Sequence, residues 1–315
     1  MNRKRLWQIL PTLLGLLLLA GAIYVLQKEF RNLKLADIQA ALAAIPNSSL
    51  WSGFGCTLLA YAILTVYDRL GTVYAGRPVS YARNAFASFC AYTLAHNIGV
   101  AAVSGAAVRY RLYAHWGLNP LQIGKVIAFC AFTFGLGALP LAGFILILEP
   151  NAIPFFGEVL PLWALYLSGA VMWALSLTYI ALSRLLGSVR LFGQTLELPN
   201  TKLAMAQIAL ATVDVAVTAG IFYSLLPEAP GLTFVRFLGI YLASYTAGIL
   251  ASLPGGIGVF DTAILIGLAP FFDTPTIVSG IVVFRLYYYI IPLFIAGPLF
   301  AGNEIWLRSR AKLNR

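Results

Sequence analysis

Long apolar runs separated by short polar loops divide this chain along its whole length. Six runs, about 7–26, 49–66, 121–147, 159–182, 203–226 and 277–301, have the length of a helix that crosses a bilayer, roughly 20 residues. Two further regions, about 84–118 and 235–272, are just as apolar but interrupted. Between the first two runs, Leu35, Ile38, Leu42 and Ile45 recur at helical spacing before Pro46. That stretch suits a short helix lying on the membrane surface or a plain amphipathic linker. The first run follows Arg3-Lys4-Arg5 and continues past Ala20-Gly21-Ala22 through 23–26, so it reads as a retained span rather than a signal peptide.

The two interruptions look like copies of each other, about half the chain length apart. One passes from His96-Asn97-Ile98-Gly99 through Ser104-Gly105 to Arg109 and Arg111. The other passes from Gly248-Ile249 through Pro254-Gly255-Gly256-Ile257-Gly258 to Asp261. Broken segments at matching places in two halves point to a transport site in a membrane protein.

Lys and Arg in short loops assign the sides. Loops 67–83 (Arg69, Arg77, Arg83), 109–125 (Arg109, Arg111, Lys125) and 183–202 (Arg184, Arg190, Lys202) read as cytoplasmic. The loop of Glu149 and Glu158 has no Lys or Arg and reads as external. So do the loops of Glu228 and Asp273, with Arg236 a nearby exception. Region 84–118 then enters from the cytoplasm and turns back near Ser104-Gly105. Region 235–272 enters from outside and turns near Pro254-Gly255-Gly256. The expected fold is an all-α polytopic membrane protein, with about six full spans plus two re-entrant helical hairpins in an inverted repeat. It forms a single transmembrane domain over 1–315, with repeat units near 48–147 and 203–301, no soluble domain and both termini cytoplasmic. In the alternative, each hairpin is two ordinary spans and the loop sides differ.

Composition supports the membrane class. The 315 residues are 60% hydrophobic and only 10% charged, with mean hydropathy +0.85. That is too few charges to cover a water-facing surface. Much of the net charge of +10 lies at the two ends, as anchors on anionic lipid, and does not point to nucleic acid. Cys56, Cys90 and Cys130 each stand alone in apolar runs, and His96 and His115 have no ligand cluster around them. No metal site or cofactor is expected. Gly255-Gly256-Ile257-Gly258 lacks the Lys-Ser/Thr of a phosphate loop, and Ser104 with His96 lacks an acidic orienter. The chain is not expected to be an enzyme.

Charges inside hydrocarbon each cost about 2.5–3.5 kcal/mol, so they mark partners or wet cavities. Asp214 lies mid-span. Arg285 lies inside the last run, with Tyr288 and Tyr289 placed to cover its stem. Arg109 and Arg111 follow the first interruption, Asp261 the second, and Asp68-Arg69 closes the second span. Arg111 and Arg69 also fit as interface anchors, and Asp214 as an ion-pair partner of Arg285 or Arg109. Half-helices starting at Ser104 or Gly255 present free N–H groups to an anion, and Arg109 adds a planar fork. The candidate binding set is Asn97, Ser104, Gly105, Arg109, Arg111, Pro254, Gly255, Gly256, Asp261, Arg285 and Tyr288. Asp214 and Asp68 are the candidates for coupling or ion pairing.

Asn97-Ile98-Gly99, Ser104-Gly105-Ala106, Arg109-Tyr110-Arg111-Leu112-Tyr113 and Pro254-Gly255-Gly256-Ile257-Gly258-Val259-Phe260-Asp261 together resemble the lysylphosphatidylglycerol synthase transmembrane-region family. Phe284-Arg285-Leu286-Tyr287-Tyr288-Tyr289-Ile290-Ile291-Pro292 resembles its stand-alone YbhN-like inner-membrane members. The likeness covers nearly the whole chain. It implies a bacterial cytoplasmic-membrane protein that moves lipids or lipid-linked anionic molecules between leaflets, with membrane lipids as partners. Two departures stand out. Asp261 occupies a position where the family often has Glu, and no aminoacyl-transfer domain accompanies these residues, so lysyl-lipid synthesis is not expected. Two other classes fit the residues: a non-transporting partner of a lipid-synthesising enzyme, and a small-solute secondary transporter.

Overall fold

The computed structural model describes residues 34–98, 101–152, 160–191, 194–251 and 253–313. The span expected at 7–26, Gly99, and the side chains of Ser104 and Pro254 lie outside the described residues. The elements are α1 (Leu35–Ala44), α2 (Asn47–Tyr74), α3 (Tyr81–Ile98), α4 (Ala101–His115), α5 (Pro120–Leu148) and α6 (Leu162–Leu185). After a small antiparallel pair, β1 (Ser188–Leu191) and β2 (Gln194–Glu197), come α7 (Thr201–Tyr223), α8 (Phe234–Ala251) and α9 (Val259–Leu268). The chain ends in α10 (Thr274–Arg285) and α11 (Ile291–Leu313). Among the described residues, six helices are long and apolar enough to span, the last being the broken helix Thr274–Leu307. The chain is a multi-pass helical membrane protein.

Local sequence sets the ends. Asn119 accepts from the N–H of Gln122, whose side chain accepts from the N–H of Asn119, and Pro120 follows at the first helical position of α5. Asn200 caps α7 through the N–H of Leu203. With 28, 29, 24 and 23 residues, α2, α5, α6 and α7 run roughly 35–44 Å, longer than a hydrocarbon core of about 30 Å. In α1, Ile38, Leu42 and Ile45 turn onto the core while Leu35 stays exposed, and the helix packs on α10.

Three differences from expectation matter. The second span does not close at Asp68 but runs on to Tyr74, so Asp68 sits inside the helix. Ser104-Gly105 is not a break: α4 already runs from Ala101. One glycine among alanines does not stop a helix. The last span is interrupted by a single π turn, Leu286–Ile290. In addition, α8, expected only as an arm of a hairpin, is itself long enough to span.

Helices α2 and α7 form the centre, with α3 and α5 against α2, and α5 and α8 against α7. Close backbone approach drives the crossings, as is usual between membrane helices. A Cβ on Gly137 of α5 would fall 2.3 Å from the Cβ of Ala211 in α7. Gly143 and Gly169 do the same for α5 and α6, each facing the other's carbonyl. Buried Gln207 ties three helices: it donates to Thr133 Oγ1 and the Phe129 carbonyl and accepts from Tyr179.

The loops gather as their charges suggested. At one end Glu197 of β2 pairs with Lys125, and its carbonyl accepts from the Tyr74 hydroxyl, joining the three Lys- and Arg-bearing loops. At the other end Thr233 bonds Glu149.

Candidate functional site

The intramembrane charges meet in two pairs. In the first, α2 supplies Asp68 and α4 supplies Arg109. Arg109 Nε and Nη2 donate to Asp68 Oδ1 and Oδ2 at 2.9 and 2.8 Å. Tyr113, one turn after Arg109 on the same face, donates to Asp68 Oδ1 at 2.8 Å, and the Tyr92 ring lies 4.5 Å from the guanidinium carbon. Gly105, one turn before, gives the guanidinium room: a Cβ there would come within 3.3 Å of Arg109 Nη1 and of Ala95 in α3. Asn84 Oδ1 stands 3.1 Å from the Tyr113 hydroxyl and accepts from Thr72. Asp68 is 0% and Arg109 5% exposed, so this pair is sealed.

The second pair is Asp261 of α9 with Arg285 at the end of α10. Three N–H···O contacts of 2.6, 2.8 and 2.9 Å join them. The N–H of Gly258 donates to Asp261 Oδ2 at 2.9 Å, and the carboxylate sits in the first turn of α9, where the helix dipole favours it. Arg285 Nη1 reaches the Gly255 carbonyl at 3.4 Å. Its guanidinium faces Tyr289 at 5.4 Å and Phe260 at 6.0 Å. The side chains are 17% and 14% exposed, so the pair is reachable where the first is not.

Gly255, Gly256 and Gly258 have φ of +58°, +63° and +83°, a conformation only glycine adopts without strain. This turn presses on the first hairpin: a Cβ on Gly255 would meet the Tyr289 ring at 3.2 Å and the His96 carbonyl at 3.3 Å. The end of α3 and the glycine turn therefore meet. The π turn joins them. A π turn frees carbonyls from the helical ladder. Here Tyr61 donates to the carbonyl of Tyr288 at 2.9 Å and Asn97 to that of Tyr289 at 3.2 Å.

Asp214 pairs with neither arginine, because both forks are already filled. Its Oδ2 accepts from Tyr67 at 3.1 Å, and its Oδ1 is buried with no partner among the described residues. Arg111 points away from Arg109 and forms a bidentate pair with Glu304 of α11. With Arg111 half exposed, this pair is a surface link: Arg111→Ala is expected to change stability by less than about 1 kcal/mol in a thermal melt.

The structure thus brings Asp68 with Arg109, Asp261 with Arg285, and Gly255 with the His96 carbonyl next to Asn97, which itself bonds the π turn at Tyr289. Tyr289, more than Tyr288, covers the Arg285 guanidinium; the Tyr288 ring lies 5.2 Å from that of His96, tilted by 32°. Sequence reasoning missed Tyr113, Tyr92, Asn84 and Tyr67. Asn84 and the tyrosines inside apolar runs were the available signal, and Tyr113 four residues after Arg109 was the strongest.

No family model matches the chain. It is 32% identical over 311 residues to the uncharacterized protein slr0712 of Synechocystis, covering 98% of this chain and 96% of that one. It is 28% identical to the inner membrane protein YbhN of Escherichia coli, covering 92% and 91%. It is 24% identical to the phosphatidylglycerol lysyltransferase of Bacillus subtilis, covering 99% of this chain but 36% of that protein.

Proposed function

The chain belongs to the lysylphosphatidylglycerol synthase transmembrane-region family, of the YbhN-like kind, and on that premise we propose that it is a lipid translocase for a phospholipid or lipid-linked anionic molecule. The observation that carries the reading is the Asp261–Arg285 pair, partly exposed beside a turn of three positive-φ glycines. Phosphate oxygens match the guanidinium fork as a carboxylate does. A head-group phosphate can therefore take Asp261's place on Arg285, and the glycines let it approach the backbone. A cationic part of the same head group is then matched by the freed Asp261. The acyl chains stay in the bilayer.

The motion that would carry the lipid is a rocking of two inverted repeats. In support, each half runs long helix, two-helix hairpin, long helix. The contact of α5 with α8 has its counterpart in that of α11 with α3. In this reading the hairpins enter from opposite faces, the Lys- and Arg-rich end is cytoplasmic, and the sealed Asp68–Arg109 pair is the closed counterpart of the reachable one.

A second reading, a non-transporting partner of a lipid-synthesising enzyme, is favoured by that same sealed pair, which makes one polar centre closed and dry. Vesicles reconstituted with the chain and labelled phospholipids separate the two. The translocase speeds exchange between leaflets, and Arg285→Ala lowers the rate at least tenfold while the protein still melts cooperatively. Equal rates for wild type and Arg285→Ala would remove this pair from the site. No acceleration by wild type over empty vesicles, for anionic and zwitterionic lipids alike, would leave the partner reading.

A further inference from the structure

We propose that Asp214 is a proton-binding site, holding one proton on Oδ1 in the conformation described and giving it up when the bundle opens. The carboxyl lies in the middle of α7, where the helix is packed on α2, α5 and α8. Tyr67 donates to Oδ2 at 3.1 Å. Oδ1 is buried and has no hydrogen-bond partner among the described residues. No Lys, Arg or His among them forms an ion pair with it, since Arg109 is taken by Asp68 and Arg285 by Asp261. An ionised carboxylate with one hydrogen bond and no counter-charge inside a membrane protein is the costliest state available to the group, and protonation removes that cost.

The surroundings fit a neutral acid. Among the described residues Tyr67 from α2 bonds Asp214 and the Tyr92 ring of α3 meets the Tyr67 ring edge-on at 6.2 Å, while Tyr241 and Tyr245 from α8 and Tyr288 from the π turn lie within electrostatic reach of the carboxyl. Beyond them stand His96, against Tyr92 and Tyr288, and Arg109, against the Tyr92 ring. Three further buried polar atoms in this group have no partner among the described residues: the Tyr92 hydroxyl, the Tyr241 hydroxyl and His96 Nδ1. Buried polar atoms are normally satisfied, so a set of unpaired ones around a carboxyl marks a place that water or a proton visits. The step is simple acid–base exchange: an O–H bond forms at Oδ1 with a proton from bulk water, and the same bond breaks when water returns. The proposal concerns the carboxyl itself and stands whatever cargo the chain carries.

Infrared spectroscopy of the purified, lipid-reconstituted chain tests it. At neutral pH the wild type shows a protonated-carboxyl C=O band that shifts in heavy water and is lost in Asp214→Asn. Tyr67→Phe keeps the carboxyl but removes its hydrogen bond, and moves the band. A wild-type spectrum without the band, or a band unchanged in both variants, overturns the proposal. So does an Asp214-dependent rise of melting temperature with sodium at fixed pH, which would put a metal cation in the proton's place.

Discussion

Arg109→Ala is expected to lower folding stability by about 3–5 kcal/mol, measured as a shift of the unfolding transition in detergent or lipid. The substitution leaves Asp68, 0% exposed, without its counter-charge and held, among the described residues, by the Tyr113 hydroxyl at 2.8 Å and the weak Cys130 thiol. The lost half of the pair supplied two N–H donors at 2.8 and 2.9 Å in one plane. Arg109→Lys keeps the charge but not the fork, so it recovers only part of the loss. The double variant Asp68→Asn with Arg109→Gln removes both charges and should be more stable than Arg109→Ala alone. An Arg109→Ala protein within about 1 kcal/mol of wild type would mean the pair is not sealed in the membrane. The same argument makes Arg109 a poor probe of transport, since loss of activity would follow from loss of fold. Arg285, with a partly exposed partner, is the better one.

Gly137 carries the second large effect. A Cβ there would lie 2.3 Å from the Ala211 Cβ, 2.5 Å from the Ala211 carbonyl carbon and 2.7 Å from the Thr212 nitrogen. Two of those atoms are backbone of a 23-residue helix, which cannot step aside as a side chain does. Gly137→Ala must therefore push α5 from α7, at a cost of about 1–3 kcal/mol or more, and Gly137→Leu should abolish the fold. Gly135, two residues earlier in the same helix, has nothing within 4 Å of its added Cβ. Gly135→Ala is expected to be neutral or stabilising by up to about 1 kcal/mol through helix propensity alone. Equal melting temperatures for the two alanine variants would show that α5 and α7 do not cross at Gly137.

Much of the fold was legible in the pattern of apolar runs. The observed α5, α6 and α7 begin and end within a few residues of the runs at 121–147, 159–182 and 203–226. Burial in a membrane needs only continuous apolar length, and that is a local property. The loop charges were legible too, because the Lys- and Arg-bearing loops meet at one end through Lys125, Glu197 and Tyr74. The helix break was misplaced at Ser104-Gly105, since a glycine can serve either a turn or a close packing contact. Gly105 serves packing, against Ala95 and Arg109. The glycines after Pro254 serve the turn, with positive φ at three of them.

The sequence by itself determined that this is a multi-pass helical membrane protein, and which of its residues are out of place in hydrocarbon. A charge in an apolar run is anomalous wherever it points. Which charge meets which was decided only by the tertiary structure. Asp68 and Arg109 are 41 residues apart and Asp261 and Arg285 are 24 apart, each partner on a different helix. Their meeting depends on how the helices cross, and the crossings are set by close contacts such as Gly137 on Ala211. Among the described residues, the same packing left Asp214 with one tyrosine hydrogen bond and no ion-pair partner. No spacing along the chain carries that information, because an unfilled oxygen is defined by what the neighbouring helices fail to bring to it.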